Sequence, residues 1–255
     1  MPKNLSLLGA AALFSGTLVG CAPESTIAGA AEGQGLAAQV QLAGEMECPE
    51  VPEDAFAVRS DEGFLLFRAT DGSLKVLSAG VSGDGTFSVT QPDVNVLEAS
   101  LIGAEGTINL QATLQGDDAV RLLLEGAADV QTIDLGTLGS VTLGASGDVL
   151  ELVSVDAAAG VEYAIGTQGD VLRIRFTGEG DAQQEVIAQL VEGSLAVGLG
   201  GELQAALVAA GLDADAAAGV APSLDAQVSG DAEADVAVTL DIDADADADV
   251  SVITP

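Results

Sequence analysis

From position 55 to about 176 the chain alternates short apolar runs with turn residues. Phe64-Leu65-Leu66-Phe67-Arg68-Ala69-Thr70 stops at Asp71-Gly72, and Ser73-Leu74-Lys75-Val76-Leu77-Ser78-Ala79 answers it. Asp-Gly between two such runs predicts a tight hairpin, because both central positions of a type I′ turn need positive φ. Further strands are predicted at 86–90, 94–101, 107–114, 119–125, 130–135, 140–143, 149–155, 161–165 and 171–176, with Gly, Asp, Ser or Gln in each gap. Strands at this spacing predict a mainly β fold, an antiparallel meander forming a β-sandwich or open barrel. Within it, Gly103-Ala104-Glu105-Gly106-Thr107-Ile108 lines up with Gly144-Ala145-Ser146-Gly147-Asp148-Val149 at an offset of 41 residues, and Ile133 with Ile174. That period reads as duplicated hairpins, with too few units to close a propeller.

The pattern changes at Asp181. Asp181-Ala182-Gln183-Gln184 has the form of a capping box, and Val186, Leu190 and Val191 share one face of a helix over 182–192. A second short helix is predicted over 201–210, ended by Gly211, with one more turn over 213–219. These helices are expected to pack on one end or face of the sheet. From 226 to 252 every even position is apolar or Gly and most odd positions are polar. A strand would put the acids on one face and the apolar groups on the other. Two strands with a break near Gly230 are expected, with 236–242 paired. Beyond them the Asp/Ala run is a poor strand former, and disorder competes with it.

Before the β region stands a segment of another kind. Pro2-Lys3-Asn4 is polar with one positive charge, 5–19 is an apolar Ala/Leu-rich run, and Leu18-Val19-Gly20-Cys21 closes it. The run is shorter than the roughly 20 apolar residues of a membrane helix, and it ends in small residues. This layout resembles the signal peptide and lipobox of bacterial lipoproteins. The resemblance covers residues 1–21 and says nothing of the fold. It implies cleavage between Gly20 and Cys21, lipidation of Cys21, and a partner membrane engaged through that N-terminal lipid. Ala22, rather than Asp, follows the cysteine, which points to the outer membrane where the source has two. The expected organisation is a leader over 1–20, lipidated cysteine and flexible tether over 21–54, an antiparallel β domain over 55–180, a helical segment over 181–220 and an acidic tail over 221–255. The chain has two cysteines, so lipidation of Cys21 leaves Cys48 as a free thiol or the sulfur of an intermolecular disulfide.

Charge narrows the partners. The chain has 255 residues, 7 basic and 40 acidic side chains, and a formal net charge of −33. No basic residue follows Arg175. Such a surface repels nucleic-acid phosphates and anionic lipid head groups, so no nucleic-acid partner is expected. It also suits saline surroundings, where salt screens the repulsion.

The chemistry available is narrow as well. The chain has no histidine and no tryptophan. Ser-His-Asp and Cys-His catalysis and every His-containing metal site therefore drop out. Carboxylates remain, and Ca²⁺ is the ion such oxygen ligands take. Asp241, Asp243, Asp245, Asp247 and Asp249 are the candidate ligands, with Asp213 and Asp215 next, although the EF-hand spacing is absent. A solvated acidic face is the plainer reading of the same run. The expectation is a non-enzymatic, membrane-anchored envelope lipoprotein with structural, surface or scaffolding work and no cofactor. The alternatives are a module holding an apolar ligand in an open barrel and a Ca²⁺-binding adhesion-type domain. No protein partner is specified.

Overall fold

The computed structural model describes residues 38–41, 50–104, 106–116, 119–126, 130–228, 237–241 and 251–253. Its strands are β1 (Ala38–Gln41), β2 (Ala55–Arg59), β3 (Gly63–Thr70), β4 (Ser73–Val81), β5 (Thr86–Asp93), β6 (Val96–Ile102), β7 (Thr107–Gln115), β8 (Ala119–Glu125) and β9 (Val130–Asp134). Then come β10 (Gly139–Ser146), β11 (Val149–Ala157), β12 (Glu162–Gln168), β13 (Val171–Thr177), β14 (Gln183–Val191), β15 (Ser194–Gly200), β16 (Ala237–Asp241) and β17 (Ser251–Ile253). Helices α1 (Leu203–Ala210) and α2 (Ala214–Val228) separate β15 from β16. Each strand predicted between 64 and 176 is present. The Asp71-Gly72 hairpin is too, with φ of 53° and 69° at its two turn residues.

The strands form two antiparallel sheets, β1-β5-β6-β7-β8-β15-β14-β13-β12 and β17-β16-β11-β10-β9-β2-β3-β4. The sheets do not close into a barrel; they face each other as a sandwich. From β2 to β15 alternate residues point inward, and Leu65, Phe67, Leu97, Leu122, Ile133, Leu143, Ile174 and Val197 fill the space between the sheets. In β3 the outward residues Phe64 and Leu66 are buried as well, against Ala55, Ala57 and Val51. That explains its unbroken apolar run.

The chain passes through this architecture twice. β2-β3-β4 lie in the eight-stranded sheet and β5-β6-β7-β8 in the nine-stranded one; β9-β10-β11 and then β12-β13-β14-β15 repeat that division. Strands of the first half start at residues 55, 63, 73, 86, 96, 107 and 119, those of the second at 130, 139, 149, 162, 171, 183 and 194, an offset of 75 or 76 throughout. Equivalent residues meet where the halves join: Val58 pairs with Ile133 between β2 and β9, and Leu122 with Val197 between β8 and β15. A β-bulge between Leu66 and Phe67 opposite β4 recurs between Thr142 and Leu143 opposite β11. The 41-residue hairpin repeat is therefore corrected. β7 and β8 are paired neighbours, whereas β11 and β12, their partners at that offset, lie in different sheets. Similar glycine turns produced that alignment. The real repeat preserves inward apolar positions and turn geometry more than residue identity, as in Phe67 with Leu143 or Leu101 with Phe176.

Three further expectations change. Residues 183–191 are strand β14, not a helix. Both faces of β14 are covered, so its residues 185–189 are all buried and lack the alternation that marks a half-exposed strand. The turn expected over 213–219 is the start of the 15-residue helix α2, which continues through Gly219 and the exposed Pro222, residues that usually end a helix. Consequently Ala226, Gln227 and Val228 belong to α2 rather than to an alternating strand. Further on, β16 pairs with β11 and β17 with β16. The helix over 201–210 appears as α1, ended as expected by Gly211 in the left-handed conformation.

Gly63 and Gly139, equivalent in the two halves, open β3 and β10 where the neighbouring backbone crosses closely. A Cβ at Gly63 would run into the carbonyl oxygen of Gly80, and one at Gly139 into that of Asp156. Gly63→Ala and Gly139→Ala are each expected to destabilise the fold by about 1–3 kcal/mol, measured by urea unfolding. A loss at one site with none at the other would contradict their equivalence.

Candidate functional site

Outside the sandwich core, the two halves of the nine-stranded sheet differ. On the second half the outer face is roofed by α1 and α2. Ala206, Leu207 and Ala210 of α1 and Ala217 and Leu224 of α2 pack on Val171 and Ile187. Asp213 caps α2, its carboxylate accepting the Ala216 N–H at 2.8 Å, and Asp215 lies in the first turn, where the helix dipole favours an acid. Gln189 donates to the Ala210 carbonyl at 2.9 Å, near the end of α1.

Beneath α2 lies an ion network. Arg173 is 0 % exposed and donates to both carboxylate oxygens of Glu185, through Nε at 2.8 Å and Nη2 at 2.7 Å. Its Nη1 reaches Asp225 on α2 at 2.9 Å. Arg175 duplicates the arrangement, bonding Glu185 at 2.8 Å and Asp225 at 2.9 Å. Arg173 and Arg175 point outward from β13 and Glu185 from β14, so the strand register brings the charges together. Burial works to lower the Arg173 pKa, but the bonds and charges of Glu185 and then Asp225 outweigh it and hold it raised. Burial likewise tends to raise the Asp225 carboxyl, yet its bonds to Arg173 and Arg175 hold it below its ordinary value. The network fastens α2 to the sheet.

On the first half the same outer face is open and polar. Thr90, Glu98, Gln111 and Leu123 form one cross-strand row, and Ser88, Ser100, Asn109 and Glu125 the next. Together they line a shallow groove of about 370 Å³. Within it Gln111 donates to Glu98 at 3.3 Å. The equivalents of Arg173, Arg175 and Glu185 here are Glu98, Ser100 and Asn109, so no matching ion network can form. Hydroxyls, amides and two carboxylates suit hydrogen bonding to a polar ligand. Among the described residues no three His, Cys, Asp or Glu side chains converge as a metal site. The alternation of the strands left this groove legible only as solvated positions; its rows exist through register.

Of the site residues predicted from sequence, Gly20, Cys21, Asp243, Asp245, Asp247 and Asp249 lie outside the described residues, as does Cys48. Asp241 ends β16, paired with Val149. Asp213 and Asp215 serve the start of α2.

Removing Arg173 alone leaves the Glu185 carboxylate buried with one of its three side-chain hydrogen bonds, that from Arg175. Arg173→Met is expected to lower stability by about 3–5 kcal/mol, and the apolar pair Arg173→Met with Glu185→Leu to recover most of it, as read by chemical denaturation. A pH dependence follows from Asp225. Its folded pKa is depressed, so its contribution is complete above the unfolded value of about 3.9 and is lost as pH falls through the lower folded value. Hydrogen exchange should show α2 loosening on acidification below about pH 4, before the sandwich strands.

Set against protein families, curated proteins and solved structures, the chain finds no match.

Proposed function

We propose that the chain is a cell-envelope lipoprotein, held on a membrane by lipid on Cys21, whose folded part is a non-enzymatic scaffold. Where the source has two membranes, the outer one is its place. The anchor rests on the lipobox-like Leu18-Val19-Gly20-Cys21, and the choice of a scaffold over a carrier rests on the packed interior. Leu65, Phe67, Leu74, Leu97, Ile133, Leu143, Leu150, Ile174 and Phe176 are all 2 % exposed or less, and they occupy the space in which a carrier would hold an apolar ligand. The open polar face of β5 to β8 is then the surface left for contact. No helix among the described residues is long and apolar enough to cross a membrane. Attachment through three acyl chains on one cysteine would be firm, since each buried CH₂ contributes about 0.8 kcal/mol.

Cys21→Ala is expected to release the protein from the membrane fraction or to block its maturation, seen by fractionation and by the mass of the product. Retention of the variant in the membrane with normal processing contradicts the proposal.

A further inference from the structure

Two deeply buried side chains have polar atoms left wholly unpaired among the described residues. Glu62 is 2 % exposed, and neither carboxylate oxygen has a hydrogen-bond partner. Gln131 is 1 % exposed, and neither its amide nitrogen nor its oxygen has one. They share one end of the sandwich. Gln131 lies on the same face of β9 as the core residue Ile133, one step past the pair Arg59 and Thr132, and so comes opposite Ser60. Ser60 and Gly63 exchange backbone bonds around the Asp61-Glu62 turn, so Glu62 lies at this same end of the sheet, on the β3 side, where the Ser82 N–H bonds its carbonyl.

The duplication shows what these places hold elsewhere. Glu62 corresponds to Leu138: the Ser82 N–H donates to the Glu62 carbonyl at 2.8 Å, as the Ala158 N–H donates to the Leu138 carbonyl at 3.1 Å. Gly103 closes over Glu62 as its equivalent Gly178 closes over Leu138. A Cβ on Gly103 would stand 2.8 Å from Cγ of Glu62, and one on Gly178 3.0 Å from Cδ2 of Leu138. Gln131, second residue of β9, corresponds to Phe56, second residue of β2. At the opposite end of the sandwich the two places are thus filled by Leu138 and Phe56, both packed against the main core. Apolar side chains satisfy the fold there. The polar pair needs another reason, because an isolated buried carboxylate is strongly unfavourable without a compensating charge.

We propose that the Glu62–Gln131 end of the sandwich binds a monovalent metal cation such as Na⁺. A carboxylate and an amide oxygen are hard donors of the kind such ions take. One carboxylate balances one positive charge, so a monovalent ion leaves the buried group neutral. The site is separate from the groove on β5 to β8.

The test is thermal unfolding of the full chain in NaCl and in tetramethylammonium chloride at equal ionic strength. Both salts screen the −33 surface alike. Only Na⁺ is small enough to enter a packed sandwich. The melting temperature is expected to be higher in NaCl, with a difference that saturates as Na⁺ rises. E62Q should abolish that difference. So should E62L/Q131F, which installs the residue types of the opposite end and keeps the comparison readable where E62Q fails to fold. Equal melting temperatures of the wild type in the two salts would overturn the proposal. A variant that keeps the full NaCl advantage would overturn it too.

Discussion

The fold depends on two seams. Each half of the chain contributes one meander to each sheet, and alone it would leave the edges of β2 and β8, or of β9 and β15, unpaired. Pairing β2 with β9 and β8 with β15 closes those edges and joins four small patches into two wide sheets. Val58, Ile133, Leu122 and Val197 sit on the seams and are all 2 % exposed or less. Burying a side chain of this size is worth about 1.5–3 kcal/mol, and the seams also allow the remaining inward rows to face one another. Edge pairing and face burial therefore support each other.

Where the halves stop matching, the molecule acquires its particular features. Arg59 and Asp134 occupy equivalent places, yet one is a base and the other an acid, and they bond to each other at 3.1 Å across the seam. The outer face of β12 to β15 is apolar and ionic and carries α1 and α2 as a roof. That of β5 to β8 carries Ser, Thr, Asn, Gln and Glu and is open. A face that buries Arg173 must supply Glu185 and Asp225 to neutralise it, because an unpaired charge there would not be tolerated. Asymmetry on a duplicated frame thus separates what the fold requires from what this chain adds.

Strands were legible wherever one face met solvent. In β7, buried and exposed residues alternate almost without fault, so period and punctuation were enough. Reading failed where a second layer covered the strand. β14 carries apolar and polar groups that are buried on both faces, and a nine-residue stretch of that kind has no strand period left to see. The helix α2 was truncated in the reading because Gly219 and Pro222 usually end a helix, whereas here Asp225 and Leu224 anchor its later turns to the sheet. The polar groove was invisible for a different reason: Thr90, Glu98, Gln111 and Leu123 lie far apart in sequence and meet only through three strand pairings.

The sequence by itself determined the mainly β class, the strands β3 to β13, the Asp71-Gly72 turn, the end of α1 at Gly211 and the acidic character of the whole. These follow from local sterics and from period, which act within a few residues. Only the tertiary structure decided which strands share a sheet, that the repeat runs at 75 or 76 residues, and which buried polar groups find partners. Those outcomes depend on pairing between residues far apart in the chain, such as Val58 with Ile133, whose side chains carry no local mark of the neighbour each will meet.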